Sequence, residues 1–148
     1  MKNWLNSAKA FREAKKGAGA KETGFSVSKT VKVGIPDPLF ERVKKEVLGR
    51  KYGLSLVLSG DALMRKLNRK YRGKDKPTNI LSFPYSSSSG EIFLNPTGAG
   101  REAENFGMSA EKFLLYLFIH GLLHLKGYGH GSRMEKVEGN FLKKFSRP

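Results

Sequence analysis

The chain has 148 residues, enough for one domain with its own apolar core, and no cysteine, which excludes both a disulfide framework and a thiolate metal site. Its 28 Lys and Arg against 13 Asp and Glu give a formal charge of +15, a field that draws polyanions and points to nucleic acid as the partner. The N-terminus lacks the apolar core of a secretory signal, and the longest apolar run, Phe113 to Leu125, is too short to cross a bilayer, so the expected location is cytoplasmic.

Residues 1–24, rich in Lys, Ala and Gly, read as a basic, flexible extension, and residues 25–148 as the folded domain. Phe25, Val27, Val31 and Val33 alternate with polar residues as in a half-buried strand that stops at residues 34–36. Asp37 is a candidate N-cap with Pro38 behind it, and Leu39, Phe40, Val43 and Val47 give a helical period that Gly49 ends. Residues 54–58 predict a buried strand. Asp61 is the candidate cap of a second helix, with Leu63, Met64 and Leu67 inward, running into a basic loop. Strands are expected at residues 80–83 and 91–94, joined by a mobile Ser-rich connection at 86–90 and followed by a Gly-rich loop at 96–100. Ser109 caps an apolar helix that Gly127 ends. In the last helix Ser132 and Glu135 have capping-box spacing, and Met134, Val137, Phe141, Leu142 and Phe145 form one stripe.

All three histidines fall within eleven residues. His120 and His124, four apart on a helix, share a face, and a left-handed turn at Gly127 brings His130 to the same point. Three neutral imidazoles with a fourth position open are the ligand set of catalytic zinc, and one zinc ion per chain is expected. The spacing is that of the metzincin motif HExxHxxGxxH except that Gly121 stands where a metalloprotease needs its glutamate base, a loss of roughly 10² to 10⁴ in rate. Phosphodiester hydrolysis suits a metal-bound water on so basic a protein better.

Residues 67–84, LNRKYRGKDKPTNILSFP, hold five cations between Arg69 and Lys76. As a loop this is ordinary punctuation around Gly73 and Pro77. As an RNA-binding surface, Arg72 offers a bidentate fork to phosphate, Lys70, Lys74 and Lys76 add point charges, and Tyr71 or Tyr128 is placed to stack on an unpaired base.

Together the two stretches resemble the YbeY-type family of ribosomal RNA maturation factors, described as single-strand-specific endoribonucleases. The family pattern HGxLHLxGYDH is met by His120, Gly121, Leu123, His124, Leu125, Gly127, Tyr128 and His130, and its LNxxYRxKDxPTxVLSFP region by Leu67 through Pro84. Gly90 to Ile92 is similar to its GDI segment, with Glu91 for Asp. The resemblance implies an α+β, zincin-like single domain whose small mixed sheet packs against the metal-bearing helix. It implies zinc on His120, His124 and His130, and Arg72 as a functional arginine in a basic cleft. It further implies maturation of the 3' end of small-subunit ribosomal RNA, ribosome quality control, and as partners the small ribosomal subunit, one of its proteins and an assembly GTPase. Gly129 departs from the pattern's aspartate. Two other functions stay open: a non-catalytic, zinc-stabilised ribosome assembly factor, and a metallopeptidase of altered mechanism.

Overall fold

The computed structural model describes residues 24–146, so the basic stretch expected at residues 1–24 lies, Gly24 apart, outside the described residues. Among the described residues four strands, β1 (Phe25–Lys29), β2 (Gly53–Leu58), β3 (Ile80–Ser86) and β4 (Ser89–Leu94), form one mixed sheet in the order β1-β2-β4-β3. β1 and β4 both run parallel to β2, and β3 returns antiparallel to β4. Five α-helices among the same residues, α1 (Asp37–Leu48), α2 (Asp61–Arg72), α3 (Pro96–Glu102), α4 (Ala110–Lys126) and α5 (Ser132–Phe145), complete an α+β architecture.

The period of two along the strands sorts side chains onto two unequal cores. Leu54, Leu56 and Leu58 of β2 and Ile92 and Leu94 of β4 are fully buried on one face, against Phe113, Phe118, Ile119 and Leu122 of α4, Phe40 and Val43 of α1 and Met134 of α5. The residues between them face the other way. Val57, Leu81, Phe83 and Phe93 meet Met64 and Leu67 of α2 in a smaller cluster. α4 is thus buried on nearly every side, and among the described residues no single helix is long and apolar enough to cross a membrane.

Local details depart from the sequence expectations where tertiary contacts outweigh local signals. The caps of α1 and α2 are Pro36 and Gly60, with no side-chain hydrogen bond, and Asp37 and Asp61 occupy the first turns, where they still favour the helix dipole. Asp61 is drawn instead into a tertiary contact, accepting hydrogen bonds from Asn95 Nδ2 at 2.6 Å and Arg101 at 2.8 Å. β1 ends at Lys29, earlier than the alternation suggests, and Val31 and Val33 pack half-buried outside it. The expected Gly-rich loop at 96–100 is the helix α3, because Pro96 opens it and Asn95 Oδ1 accepts from the Gly98 N–H at 3.1 Å. The Ser-rich connection is a tight hairpin: the Ser88 N–H donates to Ser86 Oγ at 3.1 Å, and Ser89 and Gly90 are already buried in β4. α5 is capped by Gly131, not by a Ser132 and Glu135 box. The cap of α4 is as expected, with Ser109 Oγ accepting from the Lys112 N–H at 3.2 Å.

Candidate metal centre and basic cleft

α4 ends where Gly127 takes φ of 108°, a left-handed conformation that is costly for any other residue. The Gly127 and Tyr128 N–H groups return to the carbonyls of His124 and Leu123, each at 3.0 Å, so the chain folds back at once. That turn carries His130 to the two histidines of the last helical turns, and one ring nitrogen from each of His120, His124 and His130 lies within 4.8 Å of the others. The three histidines of the sequence expectation are brought together.

The outer ring nitrogens explain why the inner ones are ready for a cation. His120 Nδ1 donates to Glu138 Oε1 at 3.2 Å, and His124 Nδ1 donates to the Tyr128 carbonyl at 3.1 Å. Both partners accept, so each Nδ1 carries the proton, which in the neutral ring leaves the lone pair on Nε2. The two Nε2 atoms face one another at 3.0 Å, and with both rings neutral their lone pairs converge on the point where a cation would sit. Burial, aided by the neighbouring His120 ring, pushes the His124 imidazole down to about 4, so it is neutral near pH 7. Burial acts to raise the Glu138 carboxyl, but hydrogen bonds from His120 and Tyr116 outweigh it and hold the group below its ordinary range.

Gly121 faces the sheet, not the centre. A Cβ there would lie 2.8 Å from Ile80 Cδ1 and 3.2 Å from Ile92 Cδ1, so a side chain at this position would enter the sheet interface and those two methyls would have to shift. Ser82 Oγ donates to the Gly121 carbonyl at 3.1 Å and fastens the same spot to β3. The carboxylate a metalloprotease needs is absent from this position, and a side chain here would point at Ile80 and Ile92 of the sheet.

His120 also lines a cleft of about 530 Å³, whose opposite wall is the loop after α2. Gly73, at φ of 70°, ends that helix; Asp75 is gripped by Arg65 through two hydrogen bonds of 2.9 and 3.1 Å, and Asn68 Nδ2 donates to the Lys76 carbonyl at 2.8 Å. The last turn of α2 thus sets Arg72, and the pinned loop Lys74 and Lys76, along the cleft, where Glu102 is the one carboxylate among the described lining residues. Lys70 lies elsewhere, its ammonium over the ring of Tyr71 at 5.2 Å. Neither tyrosine expected to stack lines the cleft: Tyr71 packs edge-on against Phe83 at 5.7 Å, and Tyr128 lies under the Arg133 guanidinium at 5.8 Å.

A sequence profile of the family described as Endoribonuclease YbeY matches residues 21–146. The chain belongs to the YbeY endoribonuclease family. Curated relatives carrying that name include one from Neorickettsia sennetsu, 41% identical over 109 residues that cover 66% of this chain and 76% of the relative. Another, from a Chelativorans species, is 44% identical over 94 residues, covering 57% and 58%. The solution structure of TM1509 from Thermotoga maritima is similar with a TM-score of 0.60 at 26% identity, covering 82% of this chain and 88% of that one.

Two features stand apart from the YbeY pattern. Gly129, in place of its aspartate, borders open space, since a Cβ there would meet nothing within 4 Å. Glu91, in the segment similar to GDI, is buried in β4 on the α2 side, accepting from Ser55 Oγ at 3.0 Å and Tyr85 Oη at 2.5 Å, and is not among the residues lining the cleft. Glu138 is the functional candidate that the sequence conceals. It sits in a polar run that reads as a solvated helix face, yet it is only 4% exposed.

Proposed function

We propose that the chain is a zinc-dependent endoribonuclease, cytoplasmic, that cuts single-stranded stretches of ribosomal RNA. The observation that carries this is the single cleft bounded by His120 of the histidine centre on one side and by Arg72, Lys74 and Lys76 on the other. A polyanion lying along the cations passes the centre.

His120, His124 and His130 hold the metal, with Glu138 and the Tyr128 carbonyl fixing the orientation of the first two rings. A zinc ion so held supplies Lewis acidity and an acidified water. Arg72 donates to the oxygens of the scissile phosphate and stabilises the charge that develops on them, while Lys74 and Lys76 neutralise flanking phosphates and Lys70 adds to the field from outside the cleft. Imidazole donors favour a transition metal over magnesium or calcium, and availability places zinc ahead of nickel, copper and iron. Family membership supports maturation of the 3' end of small-subunit ribosomal RNA, with a small-subunit protein and an assembly GTPase as partners.

The test pairs elemental analysis of purified protein with cleavage of a single-stranded ribosomal RNA fragment and its duplex. About one zinc per chain, and cleavage confined to the single strand and lost with His124→Ala, are expected. Zinc without cleavage would make the chain an assembly factor, and cleavage that persists in His124→Ala would remove the histidines from catalysis.

A further inference from the structure

Phe106 is the one large apolar side chain exposed among the described residues, at 55%. It is not a loose surface ring. It ends the short 3-10 turn Ala103–Phe106, which Gly107, left-handed at φ of 65°, closes with hydrogen bonds to Ala103 and Glu104. One face of its ring is stacked on Phe113, with centroids 4.7 Å apart and planes at 21°. Phe113 stacks in turn on Tyr116 at 6.0 Å and 20°, and Tyr116 leans on His120 at 6.2 Å. Phe106, Phe113, Tyr116 and His120 all line the same cleft as Arg72, Lys74 and Lys76. The cleft therefore has a cationic wall and an aromatic one, and the aromatic wall leads from solvent to the histidines.

We propose that the free face of Phe106 is a stacking platform for an unpaired RNA base flanking the scissile phosphate, an assignment that rests on the RNA-cleaving function proposed above. A ring backed by a second ring is held flat and loses little freedom on accepting a base, and the cations opposite bind the phosphates that a single strand presents beside that base. A duplex cannot use the platform, because its bases are already stacked on one another. The site thereby gives the cleft a means of selecting single strands that uses no base-edge hydrogen bond, and bases with larger π-faces gain more from it. A protein partner for this patch is disfavoured by the three cations and by the narrow extent of apolar surface around it.

The test uses the full chain with its metal and short single-stranded RNAs carrying 2-aminopurine at successive positions, whose fluorescence falls on stacking. Quenching at one position on the bound strand is expected. Phe106→Leu, which keeps apolar packing on Phe113 but has no π-face, should abolish that quenching and weaken single-strand binding about five- to a hundredfold. Phe106→Tyr should restore both, and metal content should be unchanged in either variant. Wild-type quenching and affinity in Phe106→Leu, with cleavage intact, overturns the platform while leaving the endoribonuclease standing and returns Phe106 to a protein-facing patch. A wild-type chain that neither binds nor cuts single-stranded RNA defeats the proposed function itself, and the platform with it.

Discussion

The two sides of the cleft are built on opposite terms. The histidine side stands on a helix buried on nearly every flank, with two of its ring protons committed to acceptors and its backbone pressed on β3 and β4 at Gly121. The cationic side stands on the end of α2 and an exposed loop held by the Asp75 ion pairs with Arg65 and Arg69 and by hydrogen bonds to Asn68, and Lys74 and Lys76 are exposed. Geometry is over-determined on one side and adjustable on the other. A metal needs its ligands within tenths of an ångström, whereas a phosphate chain tolerates cations that move with it. Substitutions on the first side should therefore act almost all-or-none, and on the second by degrees.

The largest break is His124→Ala, which should lower metal affinity by more than about 100-fold, beyond the usual cost of losing an outer partner. Chelator competition measures it, and unchanged affinity would make this side no more exacting than the other. Glu138→Gln keeps shape but removes the charge behind His120, and should cost about 10- to 100-fold in the same assay.

Acid should expose the same asymmetry in the metal-free protein. His124 is held neutral down to about 4 when folded but takes its proton near 6.5 when unfolded. Between those values the unfolded chain binds more protons, so stability falls as pH drops from about 6.5 to about 4. Above that window both states are neutral and this group contributes no slope. Glu138, held below the ordinary carboxylate range, acts with the same sign: its contribution is present above the unfolded value and is lost as pH falls through the folded one. Urea titrations at several pH values should show His124→Ala flattening the upper part of the decline, and an unaltered slope would deny the burial effect.

The smallest effects belong to the cationic side. Lys74→Ala should weaken single-stranded RNA binding a few-fold and reduce the salt slope by about one. Arg72→Lys should leave affinity almost intact but slow single-turnover cleavage, because charge is kept and the bidentate fork is lost. A lysine variant that cuts at the wild-type rate would make both sides of the cleft a matter of placement alone.

How much of this was legible in the sequence follows the range of the interactions. The histidine spacing, the Ser109 cap and the Gly127 turn are local, and each forms where the spacing predicts. Glu138 was not legible, because its burial depends on α5 packing beside α4, and MEKVEGN reads the same whether that face is wet or dry. The helix α3 was hidden by its glycines, which composition assigns to a loop. Gly98 is required there because Asn79 and Asn95 fill the space a side chain would take. Phe106 read as one more apolar residue ahead of a helix, and only the fold leaves one of its faces bare. The joint use of the basic loop and the histidines came from resemblance, since charge alone could not bring residues 72 and 120 to one cleft.

Every group that shapes the histidine centre, from Tyr116 through His120, His124, Tyr128 and His130 to Glu138, falls within one stretch of helix, turn and helix. Arg72 reaches the same cleft from 48 residues earlier than His120. The entropy of closing a chain rises with the length closed, so the two sides should not form together on the way to the native state. A metal ion present during folding would clamp the α4–α5 hairpin early and add little to the rate at which the sheet assembles. The cleft would then be the last feature to appear, completed when the loop after α2 docks opposite a centre already in place.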